Sequence, residues 1–295
     1  MVPGAESAPG TRAPGVNGIT HFFSVDVEEH FHAHVFEQVV PQRAWNDQPS
    51  RVLAATDRLL ELLDQHRVRA TFFILGWVAR RSPALVRRIA AGGHEVGSHT
   101  WSHPRISRLT PPQFREELRS SKAILEDLSG EKVVGFRAPS FSIRPGMEWA
   151  FDVLLEQGFE YDSSLFPIRR PDYGYPLAPT RPHDIVRGNG ILREFPLATT
   201  SLLGVRIPAA GGAYLRHFPF WVIRRAFTQS ALAGVPAMLY VHPWEVDLGQ
   251  PRLTVSRLTQ IRHYGGLERT LPRLDLLLGE FRFGSVGDWL KGSAA

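Results

Sequence analysis

The sequence predicts an α/β fold, in which helices pack against a mostly parallel sheet. From residue 19 onward, short apolar runs alternate with amphipathic stretches. Their spacing of roughly 25–40 residues is typical of units in which a helix connects two parallel strands. No sequence repeat and no linker-like stretch interrupts the alternation. We therefore expect a single domain over residues 19–295, including a C-terminal helical extension from about residue 246.

The predicted strands are short runs rich in β-branched and aromatic residues. They span residues 21–26, 70–75, 94–98, 133–137, 159–162, 191–198, 237–241 and about 281–286. In addition, residues 205–215, which contain Gly211 and Gly212, are expected to form a hairpin.

The helices are predicted from their start and stop signals. Ser82 and Pro83 are expected at the N-cap and first position of a helix that ends at residues 92–93, a Gly pair. Thr110 and Gln113 form a capping-box pattern at the start of a helix that continues to residue 130. Further helices are expected over residues 147–157 and 218–232, and twice after residue 241. Another is expected to begin at Ser50, with one apolar face formed by Leu53, Leu59, Leu60 and Leu63.

Composition excludes several classes of protein. The 295 residues are 43% hydrophobic and 21% charged, which excludes a wholly disordered chain or a coiled coil. The absence of cysteine excludes disulfide scaffolds, thiolate zinc fingers, iron–sulfur clusters and cysteine nucleophiles. The net charge of +5 comes from scattered arginine pairs without a basic stripe, so we expect no nucleic-acid partner.

The first 18 residues are rich in Pro, Gly and Ala and lack an apolar core. They predict a flexible leader rather than a secretory signal peptide. No run approaches ~18 apolar residues, so no transmembrane helix is expected. Together these features predict a cytoplasmic protein.

Seven polar residues fall at or near the ends of predicted strands. The carboxyl ends of parallel strands share one edge of a sheet, where active sites lie in such folds. Seven such residues at several strand ends are hard to explain as coincidence, so we expect a catalytic site there. They are Asp26, Glu28, His99, His103, Arg137, Asp162 and His242.

Two pairs among these seven residues are candidate metal ligands. His99 and His103 are separated by one helical turn, which would place both imidazoles on one side. Asp26 and Glu28 project from the same face of a strand end, and adjacent carboxylates need a cation or an arginine beside them. Each pair alone also fits solvated surface groups. Together they favour a site with two histidines and one carboxylate, whose open position activates water.

Arg137, Asp162 and His242 also have ordinary explanations, as ion-pair formers or as a buried histidine. A buried Arg137 opposite Asp26 would hold that carboxylate ionised and oriented. His242 needs a partner such as Asp162 to set its tautomer and raise its pKa before it can act as an acid.

These residues lie in motifs that, taken together and in this order, resemble a known family. The motifs FSVDVE, TFFILG, GSHTWSH, FRAPSFS, YDSS and LYVHPWE are similar to those of the NodB-homology polysaccharide deacetylases, also called carbohydrate esterase family four. The similarity covers residues 20–245. The HPWE segment and the later sequences HYGGLERT and FRFGSV further resemble the exosortase-associated branch found in exopolysaccharide clusters.

The resemblance implies a distorted (β/α) barrel with about seven parallel strands. It implies a divalent metal, usually zinc, with Co, Ni, Mn or Fe as alternatives. The implied substrate is an N-acetylated amino-sugar polymer or oligomer, and the implied location is beside membrane-bound exopolysaccharide machinery. Carried over residue by residue, it makes Asp26 the base, Arg137 its orienting group, His242 the acid, Asp162 the support of that acid, and Glu28, His99 and His103 the metal ligands.

Some positions depart from the family pattern. The common first motif has two adjacent aspartates, and Glu28 takes the second role here, with Glu29 as the fallback ligand. Ser140 stands where a tyrosine is common, and its backbone N–H keeps the role of holding the oxyanion. The tryptophan expected after the fourth motif is missing, so Leu165 or Phe166 is expected to supply the acetyl pocket.

Tyr240 replaces a common leucine, and both Tyr240 and Trp244 are expected to contact the substrate. His30, His32 and His34 are interpreted as a solvated loop, with cleft lining or a second ion site as alternatives. Two alternative functions remain. One is a cofactor-independent hydrolase of cyclic amides with the same fold, resembling allantoinase. The other is a saccharide-binding protein that has lost catalysis.

Overall fold

The structure, a computed structural model, describes residues 18–293 and consists of strands alternating with helices. The predicted leader, apart from residue 18, lies outside the described residues. The strands in this range are β1 (Thr20–Val27), β2 (Thr71–Ile74), β3 (Glu95–Ser98), β4 (Gly135–Phe136), β5 (Tyr161–Asp162), β6 (His183–Arg187), β7 (Gly190–Glu194), β8 (Thr199–Leu202), β9 (Val205–Pro208), β10 (Met238–Val241) and β11 (Arg282–Gly284).

Helices connect most of the strands, and several short 3₁₀ turns lie between them. The α-helices of the described range are α1 (Val52–Gln65), α2 (Gly76–Arg81), α3 (Pro83–Ala91), α4 (Pro111–Ser129), α5 (Trp149–Glu156), α6 (Gly212–His217), α7 (Phe220–Leu232), α8 (Arg257–Tyr264), α9 (Thr270–Glu280) and α10 (Val286–Ser293). No helix between residues 18 and 293 has the length and apolar character needed to cross a membrane.

One mostly parallel sheet organises the molecule, which confirms the predicted α/β class. Its order is β10-β1-β2-β3-β4-β5-β7-β6, with β11 paired to β1 beside β2. Every pair is parallel except β6 with β7. Two isolated parallel bridges, Leu197 with Met238 and Gly211 with Tyr240, connect the chain after β7 to β10. Seven consecutive parallel strands therefore run from β10 to β7, and single bridges link the two ends.

Strand β1 lies in the middle of the core, and seven of its eight residues are buried. Phe23, Val25 and Val27 are fully buried, and β10 and β2 flank the strand on either side. The segment after residue 246 holds α8, α9 and α10, and it also contributes β11 to the sheet. The carboxyl ends of β1, β3, β4 and β10 thus meet at one edge.

Two predicted helix starts are confirmed. Pro83 occupies the first turn of α3 with Ser82 at its N-cap. The capping box of α4 joins Thr110 and Gln113, and the helix ends at Gly130, whose φ of 73° suits a residue without a side chain.

The prediction for α1 was wrong at its start. Ser50 does not cap the helix, and Leu53 is 41% exposed rather than on the buried face. Instead, the carboxylate of Glu29 accepts hydrogen bonds from the backbone N–H groups of Arg51 and Val52, at 2.9 and 3.2 Å. A carboxylate from outside the helix therefore satisfies its first donors.

The predicted hairpin was misplaced. The hairpin is β8–β9, and its turn is Leu203–Gly204 rather than the Gly211–Gly212 pair. Gly211 has a φ of 141°, and a Cβ there would lie 1.8 Å from the backbone oxygen of Tyr240. The glycine allows the chain to approach the end of β10, where it forms the bridge described above.

Candidate active site

The carboxyl edge of the sheet opens into a cleft that contains most of the predicted site residues. Asp26 is the second-last residue of β1, Glu28 follows the strand directly, and His99 and His103 follow β3. All four line this cleft, together with His242 just after β10. Arg137, directly after β4, lies beneath the cleft with no exposed surface.

Glu28, His99 and His103 form a cluster suited to a divalent cation. One ligand atom from each lies within 4.8 Å of the others, and all three side chains are buried. His103 Nε2 is 2.9 Å from Glu28 Oε2. Although burial alone would raise the pKa of Glu28, the charges of His103 and His242 lower it. Two imidazoles and one carboxylate are a common zinc donor set.

The tautomer of His99 supports that assignment. Its Nδ1 is 2.8 Å from the backbone oxygen of Arg137, which can only accept a hydrogen bond. Nδ1 therefore carries the proton, and Nε2 keeps a lone pair for a ligand. Burial lowers the pKa of His99 to about 4, so the ring is neutral at physiological pH. Its environment therefore suits a metal ligand.

The segment between the two histidines is irregular, so the expected helical turn was wrong. Thr100 and His103 have φ values of 68° and 58°, in the left-handed region. Such residues cost on the order of 1 kcal/mol each unless their surroundings hold them. Here Glu117 of α4 accepts hydrogen bonds from the backbone N–H groups of Trp101 and Ser102, at 2.9 and 2.8 Å. The carboxylate fixes the loop that presents both imidazoles.

Asp26 is paired with Arg137, as expected. Arg137 Nη1 donates to Asp26 Oδ1 and to Ser24 Oγ, each at 2.7 Å. The rest of the guanidinium bonds to Ser163, through Nε to the backbone oxygen at 3.0 Å and through Nη2 to Oγ at 2.7 Å. Because Arg137 is wholly buried and each of its three guanidinium nitrogens is hydrogen-bonded, it holds one oxygen of Asp26 in place and leaves Oδ2 toward the cleft.

His242 is held by a carboxylate that the sequence analysis missed. Its Nδ1 is 2.8 Å from Oε1 of Glu245, and Oε2 of Glu245 accepts from Nε of the buried Arg216 at 2.9 Å. His242 Nε2 faces Asp26 and Glu28, at 3.9 and 3.7 Å from their oxygens. The signal was present in the HPWE segment. Glu245 lies three positions after His242, and the 3₁₀ turn that follows His242 brings the two side chains together.

The pKa of His242 is raised to about 9. Burial is the largest single influence and would lower this pKa, and the charge of Glu28 is the largest of several influences that together outweigh burial. The hydrogen bond and charge of Glu245, and the charge of Asp26, act in the same direction. The imidazole is therefore protonated near neutral pH and can donate from Nε2.

Asp162 does not occupy the predicted position beside His242. It is paired across β5 and β7 with Glu194, and Ser164 Oγ donates to its Oδ1. Burial raises the pKa of Asp162 to about 6, and burial followed by the charge of Asp162 raises that of Glu194. Two buried acids in contact share a proton rather than both ionising. Asp162 thus belongs to a buried pair beneath the site.

Trp244 connects the candidate acid to the candidate metal ligands. Its Nε1 donates to Glu28 Oε1 at 2.9 Å. Its ring stacks on His242 at 4.8 Å between centroids, and on His263 of α8 at 4.3 Å. Trp244 lines the cleft as expected, but its polar atom is bound to Glu28 and is not available to a substrate.

Ser140 and Tyr240 both line the cleft as expected. Ser140 has a φ of 55°, in a short 3₁₀ turn after Arg137. The expected acetyl pocket was misplaced, since Leu165 and Phe166 are buried in the core, while Phe141 and Tyr240 provide apolar lining beside Ser140.

The histidine run after β1 is not a solvated loop. His30 and His32 are 1% and 2% exposed, and the ring of His32 lies against Trp45 and Trp77. His34 lines the cleft, which was one of the alternatives. Glu29, the fallback ligand, is occupied by its hydrogen bonds to the start of α1.

Comparison with known proteins finds two family models, each of which matches less than half of the chain. A model described as polysaccharide deacetylase matches residues 44–150, and one described as a domain of unknown function (DUF3473) matches residues 163–291. The first of these segments is similar to polysaccharide deacetylases. The segment matched by the deacetylase model carries His99, His103 and Arg137. The DUF3473 segment carries His242, its partner Glu245 and the wall formed by α8, so one cleft combines both.

Curated proteins are similar to part of the chain. A peptidoglycan-N-acetylglucosamine deacetylase of Bacillus cereus is 37% identical over 108 residues, 36% of this chain and 38% of that protein. A chitooligosaccharide deacetylase of a Bradyrhizobium species is 47% identical over 70 residues, 23% of this chain and 32% of that protein. The chain thus spans about a third of the length of these two relatives.

A solved structure is similar over nearly the whole fold. The crystal structure of a Mycobacterium smegmatis protein assigned to the polysaccharide deacetylases has a TM-score of 0.60 and 22% identity. The similarity covers 95% of this chain and 92% of that one. It therefore supports the overall architecture of both segments together.

Proposed function

We propose that this domain hydrolyses N-acetyl groups from N-acetylhexosamine units of a polysaccharide or oligosaccharide, with a bound divalent metal, in exopolysaccharide biosynthesis. The observation that carries the proposal is a single cleft with three kinds of group. A carboxylate held by a buried arginine, a cluster of two histidines and a glutamate, and a protonated histidine face the same space.

Glu28, His99 and His103 would hold the cation, and zinc fits their donor set. A divalent cation there supplies Lewis acidity, which polarises the acetamide carbonyl and makes a water molecule more acidic. The proton released by the water goes to Asp26 Oδ2. Arg137 keeps that carboxylate in position as it takes the proton.

The attack of water on the carbonyl carbon places negative charge on the carbonyl oxygen. The backbone N–H of Ser140 is the proposed donor to this oxygen, a contribution worth several kcal/mol. His242 Nε2 then protonates the sugar nitrogen while the carbon–nitrogen bond breaks, and Glu245 holds its Nδ1–H. The products are acetate and a free amine on the sugar.

The two alternative functions make different demands on the same residues. A cofactor-independent cyclic-amide hydrolase has no need for the buried cluster of Glu28, His99 and His103. A binding protein without catalysis has no need for the Asp26–Arg137 pair or for the Glu245 contact on His242. All these contacts are present in the one cleft, which supports the deacetylase.

The proposal is tested by acetate release from N-acetylglucosamine oligomers, together with elemental analysis of the purified protein. We expect about one metal per chain, and activity that chelation removes and zinc restores. H103A should lose metal and activity together. H183A, a change on the distant edge strand β6, is the matched control and should lose neither. Metal without acetate release from any N-acetylated oligomer would contradict the proposed reaction.

A further inference from the structure

Two arginines that line the cleft, Arg105 and Arg262, are not paired with the charged groups of the reaction centre. The charged groups nearest the reacting atoms are already paired, Asp26 with Arg137 and Glu245 with Arg216. The glutamate of the ligand cluster faces its two histidines and would be further compensated by a cation. The remaining charges therefore decide which substrates the cleft attracts.

Arg105 is one of these remaining charges. It follows His103 by two residues and lines the cleft, with its side chain 14% exposed. Its Nε is buried and has no partner within residues 18–293. Its Nη1 lies 4.0 Å from Asp172 Oδ1, at the outer limit of an ion pair, and that carboxylate is 63% exposed. Arg105 therefore keeps most of its hydrogen-bonding capacity.

Arg262, on α8, also lines the cleft. Its backbone oxygen accepts from Arg216 and His217, at 3.4 and 3.2 Å, which fixes this end of the helix. The next residue, His263, stacks on Trp244. No hydrogen bond or ion pair joins the Arg262 guanidinium to another side chain of the described range. A second uncommitted guanidinium thus lines the cleft.

Two such groups that line one cleft suit a carboxylate. A guanidinium binds a carboxylate through charge-assisted, often bidentate hydrogen bonds, which a neutral sugar hydroxyl cannot match. We propose that Arg105 and Arg262 form a carboxylate subsite, and that the substrate is an acidic glycan with a carboxylate-bearing sugar next to the N-acetylhexosamine. The N-acetyl part rests on the proposed function, whereas the subsite can be tested by binding alone.

The binding test compares hexagalacturonate, which has carboxylates and no N-acetyl group, with N-acetylchitohexaose, which has the reverse. Calorimetry on the wild-type chain and on R262Q and R105Q should show hexagalacturonate affinity reduced about tenfold in each variant. The ratio of acidic to neutral affinity should fall, and salt should weaken the acidic ligand. R119Q, a change on the exposed face of α4, is the matched control and should bind as wild type.

Carboxylates can also bind a metal ion, so the titration is run on zinc-loaded and on chelator-treated protein. Binding at the two arginines should persist without zinc, whereas binding at the metal should disappear. The proposal is overturned if both variants bind hexagalacturonate like the wild type, or if they lose both ligands equally.

Turnover separates this inference from the proposed function. Hyaluronan oligosaccharides, which alternate N-acetylglucosamine with a uronic acid, should be deacetylated in preference to chitooligosaccharides of equal length, and R262Q should reduce that preference. Acetate release that favours the neutral oligomers in the wild type would contradict the acidic substrate. If no oligomer releases acetate, the deacetylase proposal fails while the binding result still decides the subsite.

Discussion

Replacing Glu245 by glutamine tests whether the carboxylate on His242 is needed for the departure of the amine. Glutamine keeps the size of the side chain but removes the negative charge that faces both His242 Nδ1 and Arg216. The proton on His242 then loses its support, and the buried Arg216 loses its counter-charge. The variant E245Q should therefore affect catalysis and stability separately.

The size of both effects follows from the contacts. A hydrogen bond to a charged group contributes about 1.5–3 kcal/mol, which corresponds to a fall in kcat of roughly 10- to 150-fold. Breaking a buried ion pair costs about 3–5 kcal/mol of unfolding free energy. We expect the lower end, because Arg216 Nη1 keeps the backbone oxygens of His263 and Gly265 at 2.6 and 2.9 Å.

The assay compares an amide with an ester whose leaving group needs no proton. Acetate release from N-acetylchitohexaose requires protonation of the amine, whereas 4-nitrophenolate leaves 4-nitrophenyl acetate unprotonated. E245Q should lose amide hydrolysis and keep most ester hydrolysis, with wild-type metal content. E280Q, which removes an exposed carboxylate of α9 paired with Arg224, is the matched control. An equal loss on both substrates would refute the role in acid catalysis.

Three further predictions follow from other contacts. D26N should keep the metal and lose turnover of both substrates by at least 100-fold, since the base is needed before the leaving group departs, and normal turnover would exclude Asp26 as the base. W244F replaces the indole with another aromatic ring and removes the donor to Glu28, so metal affinity in a chelator competition should fall roughly tenfold. His21 is buried with its pKa lowered to about 4 by burial. Unfolding exposes it to protonation, so the contribution of His21 to the free energy of unfolding should fall by about 2 kcal/mol from pH 7.5 to pH 5. Urea unfolding of H21F should show a pH difference smaller by that amount.

Much of the sheet could be predicted because its signals are local. The apolar run of β1 and the capping box of α4 depend on residues within a few positions of each other. The start of α1 could not be predicted in this way, because its cap is Glu29, 23 residues before Val52 along the chain. A carboxylate that reaches a helix from another segment leaves no pattern at the helix itself.

The same distinction explains the candidate site. His99, His103 and Arg137 could be named from their positions after strands, and the structure places them around one cleft. The family resemblance assigned Asp162 as the partner of His242, although Glu245 is only three residues away. The proximity of Glu245 matters only once the chain turns after β10, and that turn is stabilised by the distant Arg216.

The pairing of β1 with β10 and β11 has a consequence for synthesis of the protein. β1 emerges from the ribosome before β10 and β11. One of its edges can pair only after residue 241 has been made, and part of the other edge only after residue 284. At about 5–20 residues per second, that delay is on the order of 10–50 s. During it, a strand that carries four large apolar side chains has unpaired edges and can associate with other nascent chains. Asp26 and Glu28 can meet His242 only after β10 has been made and has paired with β1, so the reaction centre is among the last features to assemble.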